Sequence, residues 1–148
     1  MTIETPFGPI HAVVNDDGAL TELKFGASKT NGNATNPVVK RQLDEFFAGK
    51  RTTFDLPMSP AGTDFQKRVW AELTRIPYGE TISYAELAKR VGSEGAARAV
   101  GRANATNPIA VVVPCHRVIG ADGSLTGYAY GVELKRSLLD FEKGQARL

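Results

Sequence analysis

Apolar positions along the chain change period once, near residue 60. Before that point they alternate or cluster in short runs. Ile3 with Thr5, Ile10 to Val14 and Leu20 to Phe25 read as short strands. Pro6-Phe7-Gly8-Pro9 and Asn15-Asp16-Asp17-Gly18 are the turns between them, so an antiparallel meander is expected. The stretch Ser28 to Asn36 is polar and reads as a loop. Val39, Leu43, Phe46 and Phe47 then recur at helical spacing, predicting a helix over Val38 to Ala48 closed by Gly49. Phe54 to Leu56 is expected to add a further strand. Pro57-Met58-Ser59-Pro60-Ala61-Gly62 breaks regular structure and reads as a linker.

Beyond the linker the period is helical. Thr63-Asp64-Phe65-Gln66 has the spacing of a capping box, and Phe65, Val69, Leu73 and Ile76 follow on one face with Trp70 beside them, until Pro77. Phe65, Trp70 and this face are expected in the core. Ser83-Tyr84-Ala85-Glu86 predicts a second capping box, opening a short helix that ends at Gly92. A further helix over Ala96 to about Ala105 follows Ser93-Glu94-Gly95. Two short helices joined by a tight glycine-containing turn are a helix-turn-helix pattern, which many proteins carry without touching DNA. The second helix is built from small residues around Gly101, with Arg98 and Arg102 as its long side chains. Such a helix can pack closely on a neighbour or enter a DNA groove. After Asn107-Pro108, Ile109 to Val113 reads as a short buried strand or extended run. Asp122-Gly123 is a turn, and a last helix over Val132 to Lys143 is expected to turn Leu134, Leu138, Leu139 and Phe141 inwards.

Composition narrows the class. The 148 residues are 42% hydrophobic and 23% charged, which is globular and excludes a wholly disordered chain. The longest apolar run, Ile109 to Val113, is too short to span a bilayer, and the first residues lack the layout of a signal peptide, so a cytoplasmic protein with no membrane association is expected. One cysteine cannot form an internal disulfide, and one cysteine with two histidines, His11 and His116, is little material for zinc, so no metal is expected. His11 reads as an exposed strand residue. The net charge of +2 is uneven: residues 1 to 60 carry six Lys or Arg against seven Asp or Glu, and residues 61 to 148 carry twelve against nine. A basic face for phosphates would need that bias, although an ordinary mixed surface also shows it.

The candidate chemistry sits at Pro114-Cys115-His116-Arg117. A lone cysteine after an apolar run is commonly a core residue. Here a histidine and an arginine follow it, so positive charge is at hand to favour thiolate; Pro114 stiffens the approach; and the loop Gly127-Tyr128-Ala129-Tyr130-Gly131 could lay bare backbone against a ligand. A catalytic thiol needs a base, and a histidine base needs a carboxylate to set its tautomer. Neighbours in an extended chain point to opposite faces, so Cys115 and His116 would communicate through a bent backbone or a bridging water. The residues alone therefore support a Cys-His nucleophile beside a helix-turn-helix, with the third member open among nine acids.

The run Ile109-Ala110-Val111-Val112-Val113-Pro114-Cys115-His116-Arg117-Val118-Ile119 resembles the active-site signature of the O6-alkylguanine-DNA alkyltransferases. The likeness extends through Ile76-Pro77-Tyr78-Gly79-Glu80-Thr81, Ser83-Tyr84, Ala96-Ala97-Arg98-Ala99-Val100-Gly101, Asn107-Pro108, Leu138-Leu139 and Glu142; residues 1 to 60 match loosely, as that family's variable lobe. The resemblance implies an α+β fold: a small N-terminal lobe of antiparallel sheet plus helix over 1–60, and a mainly helical C-terminal domain with a helix-turn-helix over 61–148, carrying DNA binding and alkyl transfer. It implies that Cys115 accepts the alkyl group, that His116 removes the thiol proton through a water, that Glu142 polarises His116, and that Tyr84 donates a proton towards guanine N3. Arg98 would fill the gap left by a flipped base. Ala97, Arg102 and Tyr84 would join it at the DNA. Asn107 would order the cysteine loop, with Val113, Pro114, Tyr128, Ala129 and Tyr130 around the pocket and the carbonyls of Val113 and Cys115 reading the base. The partner implied is double-stranded DNA carrying O6-alkylguanine, bound by a monomer with no cofactor.

One departure stands out: small residues and paired glycines generally follow the pocket tyrosine in that family, whereas Ala129-Tyr130-Gly131 stands here. Tyr130 either narrows the pocket against bulky adducts or turns out towards DNA. Three alternatives compete with alkyl transfer. A non-catalytic lesion binder of the same group typically replaces the acceptor cysteine, which is intact here. A helix-turn-helix regulator would not require the Pro-Cys-His-Arg run. A thiol hydrolase would turn over. No cysteine-rich segment precedes the lobe, so the family's fused regulatory members are not expected.

Overall fold

The structure, a computed structural model, describes residues 1–26, 36–125 and 127–146. The predicted loop from Ser28 lies outside the described residues up to position 35. The chain divides into two compact units, one formed by Met1–Ala61 with Pro108–Val112 and one by Gly62–Asn107 with Val113–Leu148.

In the first unit β1 (Thr2–Thr5), β2 (Gly8–Val14) and β3 (Leu20–Phe25) form an antiparallel sheet in that order, the predicted meander. Its register pairs Ile3 with Ile10 and Ala12 with Leu23, so alternate residues form one apolar face. Helix α1 (Pro37–Phe47) starts where Asn36 accepts hydrogen bonds from the Val38 and Val39 amides. Its apolar stripe, with Ile3, Ile10, Leu20 and Leu23, makes the core of this unit, each fully buried Leu or Phe contributing about 1.5–3 kcal/mol.

Two predicted strands are absent. Phe54 to Leu56 forms no strand. The buried Gln42 side chain takes the place of a strand partner, donating to the Asp55 carbonyl at 3.0 Å and accepting from its amide at 2.9 Å. The run 109–113 contributes a single bridge, Ile109 beside Leu23, and then turns. The Val112 amide bonds back to the Ala110 carbonyl at 2.8 Å, closing a γ-turn on Val111, whose φ is +70°. That conformation is strained for a β-branched residue by on the order of 1–3 kcal/mol. Val111 is nonetheless buried, so its packing offsets the strain. Prolines at 108 and 114 deny the run two ladder donors, which is why an apolar stretch of this composition does not become a strand.

In the second unit, α2 (Asp64–Leu73) begins with both halves of the Thr63–Gln66 capping box and stops at Leu73, earlier than Pro77 suggested. Ile76 is still buried, from the turn that follows. Phe65 is only half-buried, lying against the Arg68 guanidinium. The parallel two-residue strands β4 (Ile82–Ser83) and β5 (Val118–Ile119) pair Ile82 with Val118. Ser83 also caps α3 (Tyr84–Arg90), but the second capping box is half-formed, because the Glu86 carboxylate engages Arg90 instead of the cap amide. Helix α4 (Ala97–Ala105) packs on α2 and α3. The Trp70 indole donates to the buried Ala103 carbonyl at 2.8 Å. Helix α5 (Val132–Ala146) runs three residues beyond the predicted end. Its inward stripe is Lys135, Leu138, Leu139 and Glu142, whereas Leu134 and Phe141 are half-buried.

Candidate active site

Cys115 opens a single turn of 3-10 helix, Cys115–Arg117, that is buried throughout. It is reached by a second tight reversal. The Cys115 amide bonds to the Val113 carbonyl at 2.8 Å around Pro114, with φ −81° and ψ 66°, the geometry of an inverse γ-turn. The backbone is thus bent on the way into Cys115 and continues as a 3-10 turn through His116. Two asparagines hold the bend: Asn107 donates to the Val113 carbonyl at 2.8 Å and Asn104 to the Cys115 carbonyl at 3.3 Å. The Cys115 carbonyl also accepts from the Val118 amide.

His116 is fully buried, and its Nε2 lies 2.8 Å from Glu142 Oε2. Arg117 clamps the same carboxylate with two bonds, Nε to Oε1 and Nη2 to Oε2, both 2.8 Å, and donates Nη1 to the Ile76 carbonyl at 2.7 Å. Burial alone would raise the Glu142 pKa; hydrogen bonds from His116 and Arg117 outweigh it and hold the carboxyl at about 2. Burial pushes the His116 pKa down against the pull of Glu142, and the positive charges of Arg117 and Lys135 push it further. The imidazole is thus neutral and faces an ionised acceptor, so Nε2 carries the proton and Nδ1 carries the lone pair. His116 Nδ1 is buried with no hydrogen-bond partner among the described residues. Glu142, one of nine acids the residues left open, is the carboxylate that meets the histidine.

Arg117 corrects one expectation. Its charge is committed to Glu142, and the sequence reading passes over Lys135, a fully buried lysine of the same helix as Glu142 whose own pKa burial pushes down. Its signal was present as the i, i+3, i+7 spacing of Lys135, Leu138 and Glu142. The Lys135 ammonium lies 5.7 Å from the centre of the Tyr84 ring. Burial pushes the Cys115 thiol up, opposed by Asn107 and Lys135, so the resting sulfur holds its proton and needs a base.

Tyr84, half-buried at the start of α3, forms part of a cleft of about 450 Å³ with Ala97, Arg98, Gly101, Arg102, Ala105 and Gly127. Arg98 and Arg102 are exposed and make no ion pair among the described residues. Tyr128 is buried and its hydroxyl has no partner among the described residues. Tyr130 packs edge-on against the Tyr128 ring with centroids 5.5 Å apart, and Ala129 is exposed. The structure thus brings Cys115, His116, Glu142, Asn107, Val113 and Pro114 into one network, while Tyr84 borders the cleft along α4. Arg98, Arg102 and Ala97 lie on the exposed side of α4. Among the described residues no group of three or more His, Cys, Asp or Glu could hold a metal ion.

A buried thiol next to a neutral histidine, whose outer nitrogen is fixed by an ionised carboxylate, defines a protein equipped for nucleophilic chemistry at cysteine. The chain belongs to the 6-O-methylguanine DNA methyltransferase family: residues 64–144 match that family's DNA binding domain and residues 1–60 its ribonuclease-like domain. The methylated-DNA–protein-cysteine methyltransferase of Mycobacterium tuberculosis (strain ATCC 25618 / H37Rv) is 49% identical over 153 residues, covering 98% of this chain and 92% of its own. Its namesake in Methanosarcina barkeri is 47% identical, covering 98% and 97%. The crystal structure of Mycobacterium tuberculosis OGT in complex with DNA superposes with a TM-score of 0.89 at 47% identity, covering 97% of this chain and 92% of that one. The α+β architecture is the one expected.

Proposed function

We propose that this chain repairs double-stranded DNA by moving the alkyl group of O6-alkylguanine irreversibly onto Cys115, once per molecule. The observation that carries the proposal is the buried Cys115 beside His116, whose tautomer Glu142 sets at 2.8 Å. In this reading residues 61–148 form the DNA-binding and alkyl-transfer domain and residues 1–60 a supporting lobe. Helices α3 and α4 act as a helix-turn-helix that enters the groove and meets the DNA through Ala97, Arg102 and Tyr84. Arg98 enters the stack as the damaged base turns out, because a carbon on O6 cannot meet a protein sulfur inside an intact duplex.

The step balances without a cofactor. The thiol proton passes through a water to His116 Nδ1, and the resulting imidazolium is stabilised by Glu142. Cys115 Sγ attacks the alkyl carbon, the carbon–O6 bond breaks, and its electron pair moves into the purine. Tyr84 donates its phenolic proton to guanine N3, neutralising the leaving base; donation aimed at charge that develops in the transition state favours it over the ground state. Tyr128, with Val113, Pro114, Ala129 and Tyr130, borders the base, which shares the Val113 and Cys115 carbonyls with the donors already holding them. The protein acts as a monomer in the cytoplasm. The thioether product has no leaving route, so turnover stops at one.

Intact-protein and peptide mass spectrometry after mixing with excess duplex containing one O6-methylguanine tests this. The expected result is one added CH2 on the Cys115 peptide, stopping at one per molecule. Unmodified Cys115 in protein that binds the duplex would overturn the proposal and favour a lesion binder.

A further inference from the structure

The 3-10 turn that carries Cys115 and His116 ends on a guanidinium that meets the same carboxylate as the imidazole. Arg117 is 5% exposed and Glu142 is fully buried. Nε and Nη2 of Arg117 donate to Oε1 and Oε2 of Glu142, each at 2.8 Å, and Oε2 also lies 2.8 Å from His116 Nε2. One carboxylate oxygen therefore serves both side chains. The guanidinium is itself fixed by the turn that follows α2. There Nη1 donates to the Ile76 carbonyl at 2.7 Å, and the guanidinium carbon lies 5.6 Å from the centre of the Tyr78 ring, within reach of a cation–π contact.

A buried carboxylate that faces only a histidine favours imidazolium, because a protonated ring is then its one counter-charge. A ring that already holds a proton cannot take one from a thiol. Arg117 supplies the counter-charge in its place. Its two bonds keep Glu142 ionised, so the carboxylate still orients Nε2–H, and its positive charge opposes a second one on His116. The proton taken from Cys115 through water then stays on Nδ1 of the imidazole, since Glu142 binds protons weakly. The charges acting on the ring are Glu142 and Lys135 from α5 and Arg117 from its own turn. Helix α2, packed on the same turn, buries only Val69, Trp70 and Leu73. Burial raises the Cys115 thiol and the phenols of Tyr78 and Tyr128, so these groups keep their protons near neutral pH.

We infer that Arg117 is a positioning residue for alkyl transfer: by neutralising Glu142 it leaves the imidazole free to receive the thiol proton, while Glu142 still orients the ring. The inference rests on the alkyl-transfer reading above and adds to it what keeps the base empty at rest. Arg117 acts through Glu142 and His116.

The test is the pH profile of single-turnover transfer from O6-methylguanine duplex, at saturating duplex between pH 5 and 9, for wild type, Arg117→Met and Arg117→Lys. Methionine keeps an apolar stem and removes the charge; lysine restores the charge without the fork. In wild type the acid limb should lie below pH 6.5, where the neutral imidazole takes up its second proton. In Arg117→Met its midpoint should rise by about one pH unit or more, with the rate at pH 9 within about threefold of wild type. Arg117→Lys should bring the limb back to within about half a unit of wild type. An acid limb at the wild-type pH in Arg117→Met, or a loss of rate equal at every pH, would overturn the inference, because a merely structural role lowers the rate throughout. Should Arg117→Met not fold, Arg117→Gln takes its place with the same criteria. The chain has two histidines, so imidazole 15N spectra of the free wild-type protein give a second reading that needs no variant. His116 should be neutral at pH 7 with its proton on Nε2, and an imidazolium there would equally sink the inference. Failure of the wild type to take up methyl would instead remove the reading beneath it, and the spectra would still test the hold of Arg117 on His116.

Discussion

Tyr130 meets Tyr128 edge to face at 5.5 Å and is half-buried, so its phenol is tied to the wall of the proposed pocket. Aromatic pairs of this geometry add about 0.5–1.5 kcal/mol beyond their burial, enough to keep the ring in place over a glycine-flanked loop. Of the two roles open to Tyr130 in the sequence, narrowing the pocket is the one this contact favours. Tyr130→Gly should therefore raise the ratio of benzyl to methyl transfer, measured from O6-benzyl- and O6-methylguanine duplexes. Equal ratios in both proteins would send Tyr130 to the DNA side instead. At this scale much was legible. Residue types and adjacency singled out Cys115 and His116 as the candidate nucleophile and base, the roles proposed for them above. Lys135 was legible only as a position on the buried stripe with Leu138 and Glu142, because a lysine's charge by itself reads as surface. Arg117 was visible as a charge, but its commitment to Glu142 was not.

Helix α4 is where element-level reading has most to explain. A helix of small residues with Gly101 in the middle forfeits roughly 1 kcal/mol of propensity. It recovers this through close packing: Val100, Ala103 and Asn104 are buried, and Trp70 bonds to the Ala103 carbonyl. Ala97, Arg98, Arg102 and Ala105 stay exposed. If that exposed side lies along a duplex, Arg98 and Arg102 neutralise phosphates or occupy the stack, and binding weakens as salt rises. Arg102→Ala should reduce the slope of log Kd against log salt by about one. Arg98→Ala should slow alkyl transfer more than it weakens binding, as loss of a side chain that replaces a flipped base would. Fluorescence anisotropy across salt concentrations, with transfer rates alongside, checks both. Equal salt slopes in wild type and Arg102→Ala would remove that residue from the interface. The helices themselves were legible from capping residues and periodicity. The run 109–113 departs from its apolar pattern, which suits a strand, because flanking prolines and the γ-turn at Val111 override it.

The stability of the molecule as a whole should record the cluster around Glu142. Its folded pKa of about 2 lies below its ordinary 4.5, and that of His116 lies below its ordinary 6.5. Both groups therefore bind protons more readily when unfolded, so their contribution is complete above pH 6.5 and is lost as pH falls. The loss begins below pH 6.5 with His116 and continues from 4.5 towards 2 with Glu142. The Glu142 share is roughly 3 kcal/mol. Glu142→Gln should cost a similar amount at pH 7, because the Arg117 guanidinium is left buried without its counter-charge, and should flatten the acid limb below pH 4.5. Urea unfolding between pH 3 and 8 reads both effects; a wild-type midpoint that does not move across that range would contradict the cluster. Periodicity, caps and turn residues determined the sheet lobe, the order of the helices and the cysteine motif, because each depends on neighbours within a few positions of the chain. Which acid meets His116 and Arg117, and how Asn104 reaches the Cys115 carbonyl, were decided only by tertiary structure. Those partners lie 11 to 26 residues apart in sequence, and their selection depends on helix rotation and burial, which no local pattern encodes.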